Sequence, residues 1–306
     1  MKKRLSLLGL GLCLSFAVFA QEEVQNDTQN NVQDTTWHIS GENTLLLNQS
    51  SFSNWAAGGI NSFAANLMFN YDFNYKKGLW SWDNKVIAAY GLTRQKVTGW
   101  RKNDDRLVLN SLLGYEASKN WLYTFYMNFN TQFADGFQYD DNNNKTLIST
   151  ALAPAYLSFG PGFAYKKSDN FRFNLSPAAA RFIFVTNDEL SNQGAFGVDP
   201  GATSRFEFGA SFDAYYKAEI MENISVENIL KLYTNYLEDP QNVDLDYTLN
   251  LFMKVNDYIT VNAGAQLIYD DNTLIPREEN GALVPGSERP ALQVRQILGA
   301  GITYKF

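Results

Sequence analysis

The chain has 306 residues, 45% hydrophobic and 15% aromatic, with a formal charge of −7 and a mean hydropathy of −0.28. An acidic surface is a poor partner for nucleic acid, and no stretch after residue 20 is apolar for long enough to form a helical membrane span. The single cysteine, Cys13, excludes a disulfide scaffold and a cysteine-ligated metal centre.

Residues 1–20 read as a cleavable signal peptide. Lys2, Lys3 and Arg4 form a basic start, Leu5 to Phe19 an apolar run, and Val18-Phe19-Ala20 a stretch suited to cleavage before Gln21. Leu12 precedes Cys13, where lipid attachment would want a small residue. Losing this segment takes the 25 basic residues to 22 against 32 acidic ones, and the formal charge to −10. Residues 21–35 are polar and acidic and read as a flexible periplasmic tail.

From residue 36 to 306 the pattern is period two, which places alternate residues on opposite faces of a strand. Leu67, Phe69, Tyr71, Phe73 and Tyr75 alternate with Met68, Asn70, Asp72 and Asn74; Phe206, Phe208, Phe212 and Tyr216 alternate with Arg205, Glu207, Ser211, Asp213 and Lys217. About twelve such strands are predicted, near 37–48, 63–75, 80–93, 106–117, 121–134, 149–166, 171–186, 204–221, 224–237, 243–255, 258–270 and 292–306. Runs of about ten residues suit a tilted strand crossing hydrocarbon, whereas soluble strands usually stop near five or six. The strand near 171–186 breaks phase: Pro177 cannot donate to a ladder and Arg181 falls on the apolar face, so a bulge is expected there.

Connections alternate in length. Short ones begin at Lys76, Ser118, Lys167, Glu222 and Asn256; longer ones are predicted near 49–62, 94–105, 135–148, 187–203, 238–242 and 271–291. Tyr75, Trp80, Trp82, Trp121, Tyr165, Phe171 and Tyr258 crowd the short turns, like an interfacial aromatic girdle. Short periplasmic turns, long outer loops and a girdle together describe an all-β fold: one transmembrane antiparallel up-and-down β-barrel in the lipid bilayer of a Gram-negative outer membrane. The last strand ends at Phe306 with Leu298, Ala300, Ile302 and Tyr304 on one face, resembling the signal by which the barrel-assembly machinery recognises its clients.

The wet face carries Asp72, Asp83, Lys85, Arg106, Arg172, Arg205, Glu207, Asp213, Lys217, Glu227, Lys231, Asp244, Asp246, Lys254 and Arg295. These are expected to line the lumen, either as a charged solute pathway or as a wet interior filled by paired charges. The segment holding Trp55, Gly58, Gly59 and Asn61 either folds inward as a constriction or makes a hairpin on its two glycines. His38, the only histidine, stands near the periplasmic rim without a serine motif beside it, so no enzyme chemistry is expected. Asp104-Asp105 and Asp140-Asp141 match no calcium-loop spacing, and neither a metal nor another cofactor is expected.

FSNWAAGGINS at 52–62, WSWDNK at 80–85, Tyr90-Gly91-Leu92 and KNDDRLVLNS at 102–111 resemble a family of small outer-membrane proteins of the Bacteroidetes known as a domain of unknown function. The resemblance implies location and barrel fold, carries no activity or catalytic residue, and draws attention to Trp55, Gly58, Gly59, Asn61, Lys102, Asp104 and Asp105 as a contact region. Two roles stay open on the sequence: passive transport of small hydrophilic solutes, or a non-conducting subunit with an envelope protein partner.

Overall fold

A computed structural model describes residues 36–51, 61–96, 98–140, 143–275, 278–279, 282–284 and 286–306. Its twelve long strands are β1 (Thr36–Ser50), β2 (Ser62–Lys77), β3 (Trp80–Gln95), β4 (Gly99–Ser118), β5 (Trp121–Thr131), β6 (Ala155–Ser168), β7 (Phe171–Phe184), β8 (Ser204–Met221), β9 (Ile224–Asn235), β10 (Asp244–Lys254), β11 (Ile259–Tyr269) and β12 (Gln293–Lys305). Each pairs antiparallel with its neighbours in chain order, and β12 pairs with β1 to close the barrel. Closure leaves no strand edge without partners, which a sheet needs if lipid rather than water surrounds it. At the seam the backbones of Gly41 and Phe306 exchange two hydrogen bonds of 3.0 Å. A Cβ on Gly41 would stand 2.4 Å from the Tyr71 ring and 2.9 Å from that of Phe306, so only glycine lets both rings lie over the strand there.

The two faces follow the period-two pattern. Outward Leu45, Leu67, Phe125, Met127, Phe206, Leu298 and Ile302 are all exposed, an apolar belt larger than monomers in water display. Polar groups on this face are satisfied by neighbours: the Tyr71 hydroxyl donates to Asn43 at 2.6 Å, the Tyr247 hydroxyl to Asn228 at 2.7 Å, and Trp82 Nε1 to Ser111, which donates to Asn84. At the short-turn end, ring contacts join Trp37 to Tyr75 and Trp82, Trp80 to Tyr115, and Trp121 to Tyr165, forming the expected aromatic girdle.

The bulge expected near Pro177 is present. Ser176 and Ala179 lie opposite Ser211 and Gly209 of β8, one extra residue on β7, and the β6 ladder slips in the same region. Opposite the bulge, a Cβ on Gly160 would meet the Ala178 carbonyl at 2.4 Å. The extra residue shifts the phase of β7, so Arg181 turns inward and Phe182 turns outward, stacked on Phe159.

The largest departures from the sequence expectation fall at two connections. The predicted long loop 94–105 is a connection of three residues, 96–98, because β3 and β4 remain paired to Gln95 and Gly99. The polar run at 102–105 is therefore strand, with one extra residue where Gly91 pairs with Asp104 and Leu92 with Lys102. The strand predicted from 149 begins at Ala155, since residues 145–149 pair instead with 136–139 in a separate hairpin. Between β7 and β8, a short helix (Asp188–Asn192) capped by Asn187 packs Leu190 with Ala153, Val185 and Val198 in a small apolar core at the long-loop end.

Candidate functional site

Inward side chains of nearly every strand surround a cavity of about 450 Å³. Its lining reaches Ser81, Leu122 and Arg172, each second in its strand at the short-turn end. On β7 and β8 it stops at Asn174 and Asp213, while on β4, β10 and β12 it extends to Arg106, Asp246 and Arg295.

Charges arrive in layers because neighbouring strands offer the same face at each register step. Near the short turns Asp72 pairs with Lys85 across the β2–β3 ladder at 3.3 Å. Asp83 of β3 reaches Lys166 of β6 at 3.0 Å with two strands between them, so this pair spans a chord of the lumen. Arg172 lies over the Tyr215 ring at 4.9 Å. Higher up, Asp213, Lys231 and Asp246 stand in register on β8, β9 and β10. Glu227 accepts hydrogen bonds from Tyr215 at 3.0 Å and Asn250 at 2.9 Å.

Above these, Arg295 of β12 approaches Asp104 of β4 at 3.1 Å, with three strands between them, and Arg106 approaches the same oxygen at 3.9 Å. On the opposite wall Arg181 donates from Nε to Glu207 and from Nη2 to Asp244, both at 2.6 Å, and stacks on Tyr233 at 3.8 Å. Arg205 approaches Glu207 at 3.3 Å and donates to the Gly197 carbonyl at 3.0 Å, tying this layer to the loop above it.

Of the fifteen charged residues expected in the lumen, Asp72, Asp83, Lys85, Arg106 and Arg172 line the cavity, as do Asp213, Glu227, Lys231, Asp246 and Arg295. Arg205, Glu207 and Asp244 form the ionic layer beyond it. Lys217 leans toward the Phe252 ring, 6.0 Å away. Lys254 is half-exposed at a short turn and pairs with Asp257 at 2.8 Å, because its place at the strand's last residue puts it within reach of the turn rather than of the lumen. Trp55, Gly58 and Gly59 lie outside the described residues, and Asn61 directly precedes β2. His38 is exposed on β1 opposite Asn74.

Three participants were not placed in the lumen by the sequence reading. Lys166 is in phase with the wet face of β6 and could have been found by the same alternation. Arg181 needed the bulge, and Asp104 was read as loop.

Carboxylates at the long-loop rim are engaged by the protein. Oxygens of Asp244, Asp270 and Asp271 lie within 4.8 Å of one another, but Arg181 binds Asp244, Asn242 donates to Asp271, and Thr273 donates to Asp270. Asp105 is held by Lys102 at 2.7 Å and by the backbone N–H groups of Phe133 and Ala134.

A family model described as a protein of unknown function (DUF3078) matches residues 47–137, from the end of β1 through β5, including Asp104 and Arg106. No curated protein matches the chain. Among solved structures the chain is similar to an outer membrane channel from Pseudomonas putida F1, with TM-score 0.39 and 10% identity over 93% of this chain and 100% of that one. It is similar to the NanC porin, with TM-score 0.37 and 9% identity over 87% and 99% of the two chains. A third is the Pseudomonas putida toluene transporter TodX, with TM-score 0.32, 10% identity and 90% of each chain covered.

Proposed function

We propose that this barrel spans the outer membrane and passes small hydrophilic solutes passively through its lumen. One observation carries the reading: a closed barrel with an apolar outer belt encloses a cavity of about 450 Å³ lined by charged and amide side chains. Such a lining replaces part of a solute's hydration, while the closed wall of paired strands separates the lumen from lipid. A barrel of twelve strands lies between small barrels filled by side chains and wide porins with an open channel, so the lumen suits small solutes. In the same reading residues 1–20 are an export signal, residues 21–35 a periplasmic tail, and the strand ending at Phe306 the element offered to the assembly machinery.

The test is reconstitution. Purified barrel in a planar bilayer should give stepwise conductance, and vesicles containing it should swell in small sugars; insertion without either refutes the reading. A second role is favoured by one observation, the ion pairs that cross the lumen from β3 to β6 and from β4 to β12. They suit a non-conducting subunit of an envelope assembly, which would retain a stoichiometric companion in gentle detergent.

A further inference from the structure

The cavity lining is balanced in formal charge but not in hydrogen bonding. Its acidic groups are all engaged. Glu42, Asp72 and Asp83 form ion pairs with Lys305, Lys85 and Lys166. Asp213 accepts from Ser211 at 3.2 Å, Glu227 from Tyr215 and Asn250, and Asp246 from Gln266 at 2.9 Å.

The cations differ. Among the described residues Arg106 and Arg295 donate no hydrogen bond, although both line the cavity; Arg172 and Lys231 donate none either, but of these only Arg106 and Arg295 are brought together on one carboxylate. Among the described residues the carboxylate that both approach within 4.0 Å is Asp104, whose side chain is 1% exposed and lies outside the lining. Its carboxylate stands close enough for Coulomb attraction, yet both its oxygens and Arg106 Nε lack a hydrogen-bond partner. Asp104 therefore keeps two guanidinium groups side by side without using their donors. A guanidinium presents five N–H groups in a planar fork that matches a carboxylate or phosphate.

We propose that Arg106 and Arg295 form a binding site in the upper part of the lumen for a small oxyanion, a carboxylate or phosphate group on a solute. Asp104 sets the affinity from behind, offsetting part of the positive charge so that the anion is held and then released, as passage through a selective lumen requires. The inference rests on the lumen being reachable by solute, but it does not need conduction.

The test uses the full mature barrel in detergent at low ionic strength, with citrate, inorganic phosphate and sucrose as probes in titration calorimetry. Saturable binding of one or both anions and none of sucrose is expected, and the tighter anion assigns the group as carboxylate or phosphate. The variant R106Q/R295Q/D104N, which leaves no unpaired charge behind, should weaken anion binding at least tenfold, with folding verified by its circular dichroism. D104N alone should tighten anion binding severalfold, an effect that a merely structural Asp104 would not produce. Absence of saturable anion binding, or equal binding by wild type and the triple variant, overturns the proposal. A barrel that conducts but binds neither anion refutes this site and keeps the solute pathway; one that binds anion without conducting does the reverse.

Discussion

Replacing Arg181 with alanine tests the ionic layer above the cavity. The guanidinium is 13% exposed and bridges Glu207, whose side chain is fully buried, to Asp244, at 16%. Deleting one partner of a buried ion pair leaves the other charge unneutralised and costs about 3–5 kcal/mol. Two features place Arg181→Ala at the lower end, about 3 kcal/mol: Arg205 still approaches Glu207 at 3.3 Å, and Asp244 keeps some access to water. Loss of stacking on Tyr233 adds about 1 kcal/mol to whatever the charges cost. Urea titration of the barrel folded in detergent micelles measures the loss. The triple variant R181A/E207Q/D244N, which removes the stranded charges as well, should recover most of it. A loss below about 1 kcal/mol for R181A, or a triple variant no more stable than R181A, would mean that the layer is solvated and holds nothing together. Conductance should rise in both variants, since the side chain filling that side of the lumen is gone.

Other substitutions probe the wall. Tyr247→Phe leaves Asn228 without its donor on the outer face and should cost about 1–3 kcal/mol in the same titration; an unchanged midpoint would show that water reaches this surface. Gly160→Val places a side chain where the Ala178 carbonyl stands 2.4 Å from a Cβ, and should abolish refolding into detergent, whereas Gly78→Ala, in an open turn, should refold with a loss of about 1 kcal/mol. Phe306→Ala keeps the backbone bonds to Gly41 but removes ring contacts with Tyr71 and Tyr304. It should lower the amount of barrel assembled in cells severalfold while refolding in vitro persists, and equal assembly would refute a role for the terminal ring. Tryptophan fluorescence should be quenched by lipids brominated near the headgroup more than by those brominated at the chain centre, because Trp37, Trp80, Trp82 and Trp121 all stand at the short-turn end.

Much of the barrel was legible because alternation is local: each strand carries its own inside and outside, and Pro177 together with Arg181 on the wrong face was enough to expose the bulge. What alternation does not carry is which inward groups meet. Asp83 finds Lys166 and Asp104 finds Arg295 across two and three intervening strands, and such chords depend on the stagger accumulated around the whole barrel. The run KNDD at 102–105 misled for a related reason. Polar composition normally marks a loop, but here ladder partners on β3 hold it as strand and place the Asp104 carboxylate in the interior. The excursion at 132–154 was hidden because the segment at 145–149 has strand character and pairs with residues 136–139 rather than with the wall.

The seam between β1 and β12 joins residues from opposite ends of the described chain. Before β12 arrives, β1 and β11 each present a bare edge, and no earlier strand can stand in without shifting the diameter and the phase of every face. Closing the wall therefore waits on β12: without it β1 and β11 keep bare edges, and with it each of the twelve long strands has two partners. The pairing of Gly41 with Phe306 thus belongs to the joint whose two strands lie furthest apart along the described chain.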